Sequence, residues 1–157
     1  MGQFSPDLTI TGSAQTNLSS PVYTWVADLP PDAASKQWAV SALAGTQTGV
    51  RVHTAGDPFT SAIRRGRYNS LPAKNPVNGS YPNVPMNRIE ILSRKGVYID
   101  SANTVRVANL RLIAELPAGC EQFDAPNIRA LCSNLFGVIA EESSDLGDTY
   151  VSGLISA

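Results

Sequence analysis

A chain of 157 residues with 43% hydrophobic and 16% charged side chains is long enough to bury a core and too apolar to stay disordered. Its apolar runs fall well short of the roughly 18 residues a spanning helix needs, so no membrane segment is expected. The formal net charge of −1 hides a partition: residues 1–50 carry one basic against three acidic side chains, residues 51–111 ten against three, and residues 112–157 one against seven. The nets of −2, +7 and −6 suggest a basic surface for a polyanion and a separate acidic surface, although chance scatter over a solvated exterior gives the same count.

Residues 1–6 show neither a basic nor an apolar leader pattern, and Pro6 stands where a myristoylation signal wants Ser or Thr. The first two-thirds of the chain reads as short strands separated by turn residues. The expected strands are residues 8–11, 22–27, 38–43, 49–54, 59–65, 88–94 and 104–116. Gly12-Ser13, Pro30-Pro31-Asp32, Ala44-Gly45, Gly56-Asp57-Pro58 and Lys95-Gly96 break them. Connections this short suit an antiparallel meander, because a parallel crossover needs a dozen residues or more. One connection is long: residues 66–86 hold Pro72, Pro76, Pro82 and Pro85 and read as an extended loop.

The last 35 residues change period. Asp124 is placed to cap a helix with Pro126 in its first turn, where the missing N–H does no harm. Ile128, Leu131, Cys132, Leu135, Phe136 and Ile139 then follow the spacing of one apolar helical face. After Ser143-Ser144, the residues Leu146, Tyr150, Val151, Leu154 and Ile155 suggest a second, shorter helix with Asp145 near its positive end. Strands followed by helices indicate an α+β fold: an N-terminal β-hairpin (1–28), five antiparallel sheet strands (37–116, with the long loop 66–86) and two C-terminal helices (124–156) in one domain.

Strand alternation separates two sheet faces. In 104–116, Arg106, Ala108, Leu110, Leu112 and Ala114 lie opposite Val105, Val107, Asn109, Arg111 and Ile113. In 88–94, Ile89 and Ile91 lie opposite Arg88, Glu90 and Arg94; in 59–65, Phe59 and Ile63 lie opposite Thr60, Ala62 and Arg64. Residues 49–54 set Val50 and Val52 against Arg51 and His53. One face is apolar and the other polar and basic. Two short helices cannot cover such a sheet alone, so a partner chain is expected.

The block from Asn87 to Leu112 resembles the last two sheet strands and intervening loop of levivirus-type coat proteins, from single-stranded RNA bacteriophages. Residues 128–155, with a Leu-rich helix, an acidic break and a closing Asp-Thr-Tyr-Val-Ser-Gly-Leu, are similar to their terminal helices. The likeness covers most of the chain in element order, through diffuse patterns and not a short signature. This chain is longer than the smallest members, and the 66–86 loop is an elaboration. The resemblance implies an intertwined homodimer with a continuous ten-stranded sheet, an icosahedral shell and a sheet face that binds genomic RNA and a repressor hairpin. A maturation protein is a further partner of that family, and the implied location is the virion, assembled in bacterial cytoplasm. Matching strand order and parity nominates Arg51, His53, Thr60, Arg64, Arg88, Glu90, Asn109 and Arg111 for RNA. It nominates Lys95, Gly96, Tyr98, Asp100 and Asn103 for a loop at the symmetry axes. Ile128, Leu131, Leu135, Phe136 and Ile139 are nominated for dimer packing.

Catalytic readings find little. His53 is the only histidine and has no Cys or acidic cluster at useful spacing, so a surface or RNA-facing role is expected. Glu141, Glu142, Asp145 and Asp148 read as a solvated helix end and not a metal site, and no phosphate-binding glycine loop is present. Arg64-Arg65-Gly66-Arg67 suits either RNA or a solvated strand end, and Tyr23, Trp25 and Trp38 suit core or interface. Cys120 and Cys132 are too few for a disulfide framework and read as reduced or buried, an inter-subunit bridge being the sharper alternative. No enzyme activity, metal or cofactor is expected. A small cellular RNA-binding module and another phage structural subunit are the competing readings.

Overall fold

The computed structural model describes residues 4–30 and 32–155. Pro31 of the expected Pro-Pro turn, residue 156 of the expected helical region and the first three residues of the chain lie outside the described residues. Six strands follow in chain order: β1 (Thr9–Thr11), β2 (Val22–Asp28), β3 (Ser35–Ala44), β4 (Phe59–Arg65), β5 (Met86–Tyr98) and β6 (Val105–Pro117). Three helices come after them: α1 (Cys120–Phe123), α2 (Ala125–Glu141) and α3 (Ser143–Ser152). The strands form one sheet in sequence order, each antiparallel to the next. The expected α+β class, N-terminal hairpin and helical C-terminus are all present.

β2 belongs to the sheet as much as to the hairpin. It pairs three residues with β1 and its whole length with β3, with a bulge between Thr24 and Trp25. The five sheet strands are therefore β2 to β6, with β1 added at the edge. Residues 49–54 are not among them, contrary to the alternating pattern of that segment. β3 pairs with β4 through Ser35–Ala39, and beyond that the segment supplies only the His53 amide, which donates to the Val40 carbonyl at 2.9 Å. The Thr54 amide donates to the Asp57 carbonyl and the Asp57 amide to that of Thr54, which turns the chain away from the sheet.

Lys95-Gly96 is not a turn either. β5 runs through it to Tyr98, and the connection to β6 shrinks to residues 99–104. Gly96 is required there for closeness and not for flexibility. A β-carbon on it would strike the Asp57 carboxylate and sit 3.0 Å from Val105 Cγ1. Gly96→Ala should therefore destabilise the fold by about 2 kcal/mol, the usual scale for overpacking. A drop of about 5 °C in the thermal midpoint of disassembled protein would register it.

Parity in the observed register confirms the two faces. Arg64, Glu90 and Ile113 stack across β4, β5 and β6 on one face, as do Thr60, Arg94 and Asn109. Ile63, Ile91 and Leu112 stack on the other, with Ile89 and Ala114 beside them. At the far end of the sheet Trp25 stacks on Trp38, with ring centroids 5.9 Å apart and planes inclined by 25°.

The core within one chain is small. Among the described residues the buried apolar side chains are Pro21, Ala39, Val40 and Ala118, and none of the three helices has a buried residue. A chain of this size normally buries far more, so its apolar surface is left for something else to cover.

Asp124 precedes α2 as expected, but its carboxylate accepts from Asn127 Nδ2 at 2.7 and 2.9 Å and makes no capping bond. α3 begins at Ser143 itself, and Gly153, at φ 72°, ends it before Leu154 and Ile155. The 66–86 loop is tied down despite its prolines. The Tyr68 hydroxyl donates to Glu121 in α1, and Asn69 and Asn87 exchange bonds at 2.7 and 3.0 Å.

Candidate nucleic-acid interface and assembly surfaces

The polar face is a shallow groove of about 490 Å³ lined by Arg64, Arg88, Arg94 and Arg111 against Asp32 and Glu90. Four guanidiniums against two carboxylates leave it net positive. Glu90, its side chain 15% exposed, lies between Arg88 at 3.2 Å and Arg111 at 3.6 Å. Both arginines are about half exposed, so their remaining donors face solvent. Arg64 leans on Asp32 at 3.4 Å and is the most open of the set. Exposed pairs of this kind hold little energy and exchange partners readily.

Arg94 is fixed by a chain of bonds through four strands. Its Nε donates to Thr60 Oγ1 at 3.1 Å and an Nη to Gln37 Oε1 at 2.9 Å. Gln37 Nε2 in turn donates to Asp28 Oδ2 at 2.5 Å. The Gln37 bond holds the Asp28 carboxyl below the usual range, helped by the Leu29 amide and by the charges of His53 and Arg94. Arg94 and Gln37 were not nominated from the sequence for RNA. The signal was available for Arg94, which shares strand parity with Arg88 and Glu90.

Of the nominated residues, the sheet gathers Thr60, Arg64, Arg88, Glu90, Asn109 and Arg111 on this one face. Thr60 is 1% exposed and lies beneath Arg94, so it orients that arginine and offers nothing to solvent. Asn109 is exposed opposite Arg94.

Arg51 and His53 are not carried on a sheet strand, because the strand expected over residues 49–54 does not form. Arg51 pairs with Asp57, donates to the Gly96 carbonyl at 3.0 Å and stacks 3.8 Å over the Tyr98 ring. His53 Nδ1 accepts the Phe59 amide at 3.0 Å, which leaves only Nε2 for another partner.

Asp57 is the centre of this second cluster. It is nearly buried, and Lys95 Nζ reaches it at 2.9 Å from the other side. Arg51 first and Lys95 second pull its carboxyl below the usual aspartate range, against the opposing effect of burial. A carboxyl depressed by folding adds stability that is complete above the unfolded value and is lost as pH falls through the folded one. The wild type should therefore lose stability more steeply than Asp57→Asn on acidification below the usual aspartate range. Parallel slopes in an acid unfolding titration would contradict this role.

The cluster bolts residues 51–58 to the end of β5, past the last β4–β5 pair, with the Gly96 amide donating to Pro58 O at 2.7 Å. Of the residues nominated for the axis loop, Lys95, Gly96 and Tyr98 lie in β5, and only Asp100 and Asn103 lie in the turn. Asp100 Oδ1 accepts the amides of Ala102 and Thr104 at 3.1 and 2.9 Å, while Asn103 takes a left-handed φ of 63°. The projecting tip is thus a short, internally bonded turn.

Two surfaces have no occupant in one chain. β6 is an edge strand of 13 residues, with Val107, Leu110 and Ile113 from 44% to 60% exposed. Leu131, Leu135, Phe136 and Ile139 of α2 are 41% to 59% exposed, with Ile128 half-buried beside them. Long bare edges and apolar helical stripes are normally covered in a soluble protein.

No protein-family model matches the chain, and no curated protein does. Among solved structures, the virus-like particle of bacteriophage ESE020 matches with a TM-score of 0.94 and 38% identity, over 98% of this chain and 100% of that one.

Proposed function

The chain belongs to the family of bacteriophage capsid proteins that includes the subunit of that virus-like particle, and from this premise we propose that it is the coat protein of a single-stranded RNA phage, of levivirus type. It dimerises, closes into an icosahedral shell and packages genomic RNA against the arginine-lined face. The observation that carries the reading is the division of labour within one sheet: a basic groove on one face, a half-exposed apolar face on the other and a free β6 edge.

Each part has a role on this reading. Two β6 edges pair antiparallel, so β2 to β6 of each chain make ten continuous strands with a β1 at either end. The α2 stripe of one copy covers apolar surface of the other, which is the usual fate of an unburied helical face. The 99–104 tips meet at the symmetry axes. Arg64, Arg88, Arg94 and Arg111 neutralise phosphate and release counterions, while Asn109 and Glu90 are the groups able to read unpaired base edges. A hairpin of the phage's own RNA is the ligand of that face, and its capture would repress translation and mark the genome. The role is structural and not catalytic.

Sedimentation of acid- or salt-dissociated protein should show a dimer at the lowest measurable concentration, and the nucleic acid extracted from particles should be one discrete RNA. A monomer that binds mixed RNA without assembling would instead point to a cellular binding module.

A further inference from the structure

Gly147 stands in the middle of α3, a helix of ten residues, where glycine costs about 1 kcal/mol relative to alanine. A β-carbon there would meet the side-chain carboxamide of Gln15, with Oε1 in the way and Cδ at 3.0 Å. Gln15 belongs to the turn between β1 and β2, at the opposite end of the chain. Its Nε2 donates to the Ser143 carbonyl at 2.7 Å and also contacts Ser143 Oγ. Thr16 Oγ1 beside it donates to Asp148 Oδ2 at 2.9 Å.

The turn has the shape to do this. Gln15 and Leu18 exchange backbone bonds at 3.0 and 2.9 Å, and Asn17 takes a left-handed φ of 65°, so the Gln15 and Thr16 side chains project from a closed tip. The contact joins opposite edges of the sheet. α1 follows β6 at one edge, while the β1–β2 turn lies at the other. Five strand spacings amount to about 24 Å, and the 17 residues of α2 reach about 25 Å. α2 is thus long enough to reach from one edge to the other, and it neighbours α1 and α3 with no side chain buried.

We infer that the β1–β2 turn is a clasp for α3: Gln15 and Thr16 hold the far end of the helical arm so that α2 is presented, apolar stripe open, before a second copy arrives. Gly147 is small to admit the Gln15 carboxamide. The clasp makes Gln15 and Gly147 positioning residues for assembly, and this part of the inference rests on the dimer reading above. An arm fixed at both ends loses less entropy on docking than one fixed only at α1.

The test is a sign reversal, read by hydrogen–deuterium exchange of α3 in full-length, dissociated protein and by light scattering during reassembly. Gln15→Ala should speed α3 exchange about tenfold through loss of its bonds to Ser143 and slow assembly, with β5 and β6 exchange unchanged. Gly147→Ala alone should also speed α3 exchange, because the new methyl displaces the carboxamide. In the Gln15→Ala background the same change should slow it about fivefold, since only the helix propensity of alanine is left to act.

If Gly147→Ala slows exchange in both backgrounds, the carboxamide does not hold the helix and the clasp is refuted. Unchanged α3 exchange in Gln15→Ala, or a loss of protection spread equally over β5 and β6, overturns it as well. Should the wild type form no shell, the coat-protein reading fails separately, while exchange in the dissociated chain still decides the clasp.

Discussion

Phe136→Ala should weaken dimerisation by about 4 kcal/mol, close to a thousandfold in the dissociation constant. The ring is half exposed in one chain and sits in the middle of the α2 stripe, flanked by Leu135 and Ile139. Truncating a central aromatic at an interface removes about 2 kcal/mol or more, and a two-fold dimer contains the site twice. Because α2 has no buried residue, the fold of the single chain should barely notice the change. Dilution followed by native mass spectrometry would show monomer appearing where the wild type is still dimeric, with an unaltered strand signal by circular dichroism. A dimer as tight as the wild type would mean that the stripe faces solvent or some other partner.

Arg88→Ala combined with Arg111→Ala should leave shells intact and nearly strip them of RNA. Both guanidiniums are about half exposed and share Glu90 with each other, so neither supports the core. Each phosphate contact on single-stranded nucleic acid contributes about 0.7 to the slope of log affinity against log salt, so losing two should lower the slope by about 1.4. Filter binding across a salt series reads this directly. An unchanged slope would place the RNA elsewhere on the chain. Glu90 would lose both of its arginine partners in this variant.

Much of this was legible in local sequence. Phe59–Arg65 was bounded to the residue, and alternation in β5 and β6 separated the faces because a period of two admits only two assignments. The helical spacing from Ile128 to Ile139 located α2, and the sheet's apolar face, too broad for two short helices to cover, was the first sign of a partner. What failed to show was every feature set by a side-chain contact outside the strand or helix period. Residues 49–54 alternate like a strand, yet Arg51 is drawn to Asp57 and the backbone follows. Lys95-Gly96 reads as a turn by composition, whereas Gly96 is small so that Asp57 can approach. Thr60 has the parity of a contact residue and is covered by Arg94. Gly147 looks like a flaw in a helix until Gln15, far away in sequence, is placed against it.

Those contacts give the chain an arginine face, a bolted β5–β6 tip and a helical arm held at α3, and on the proposed reading each serves a closed assembly. Electron microscopy of the purified protein, with nuclease protection measured on the same sample, tests that claim most directly. Round, hollow, closed shells holding protected RNA are the expected result. A stable monomer or isolated dimer at every concentration and salt would contradict it.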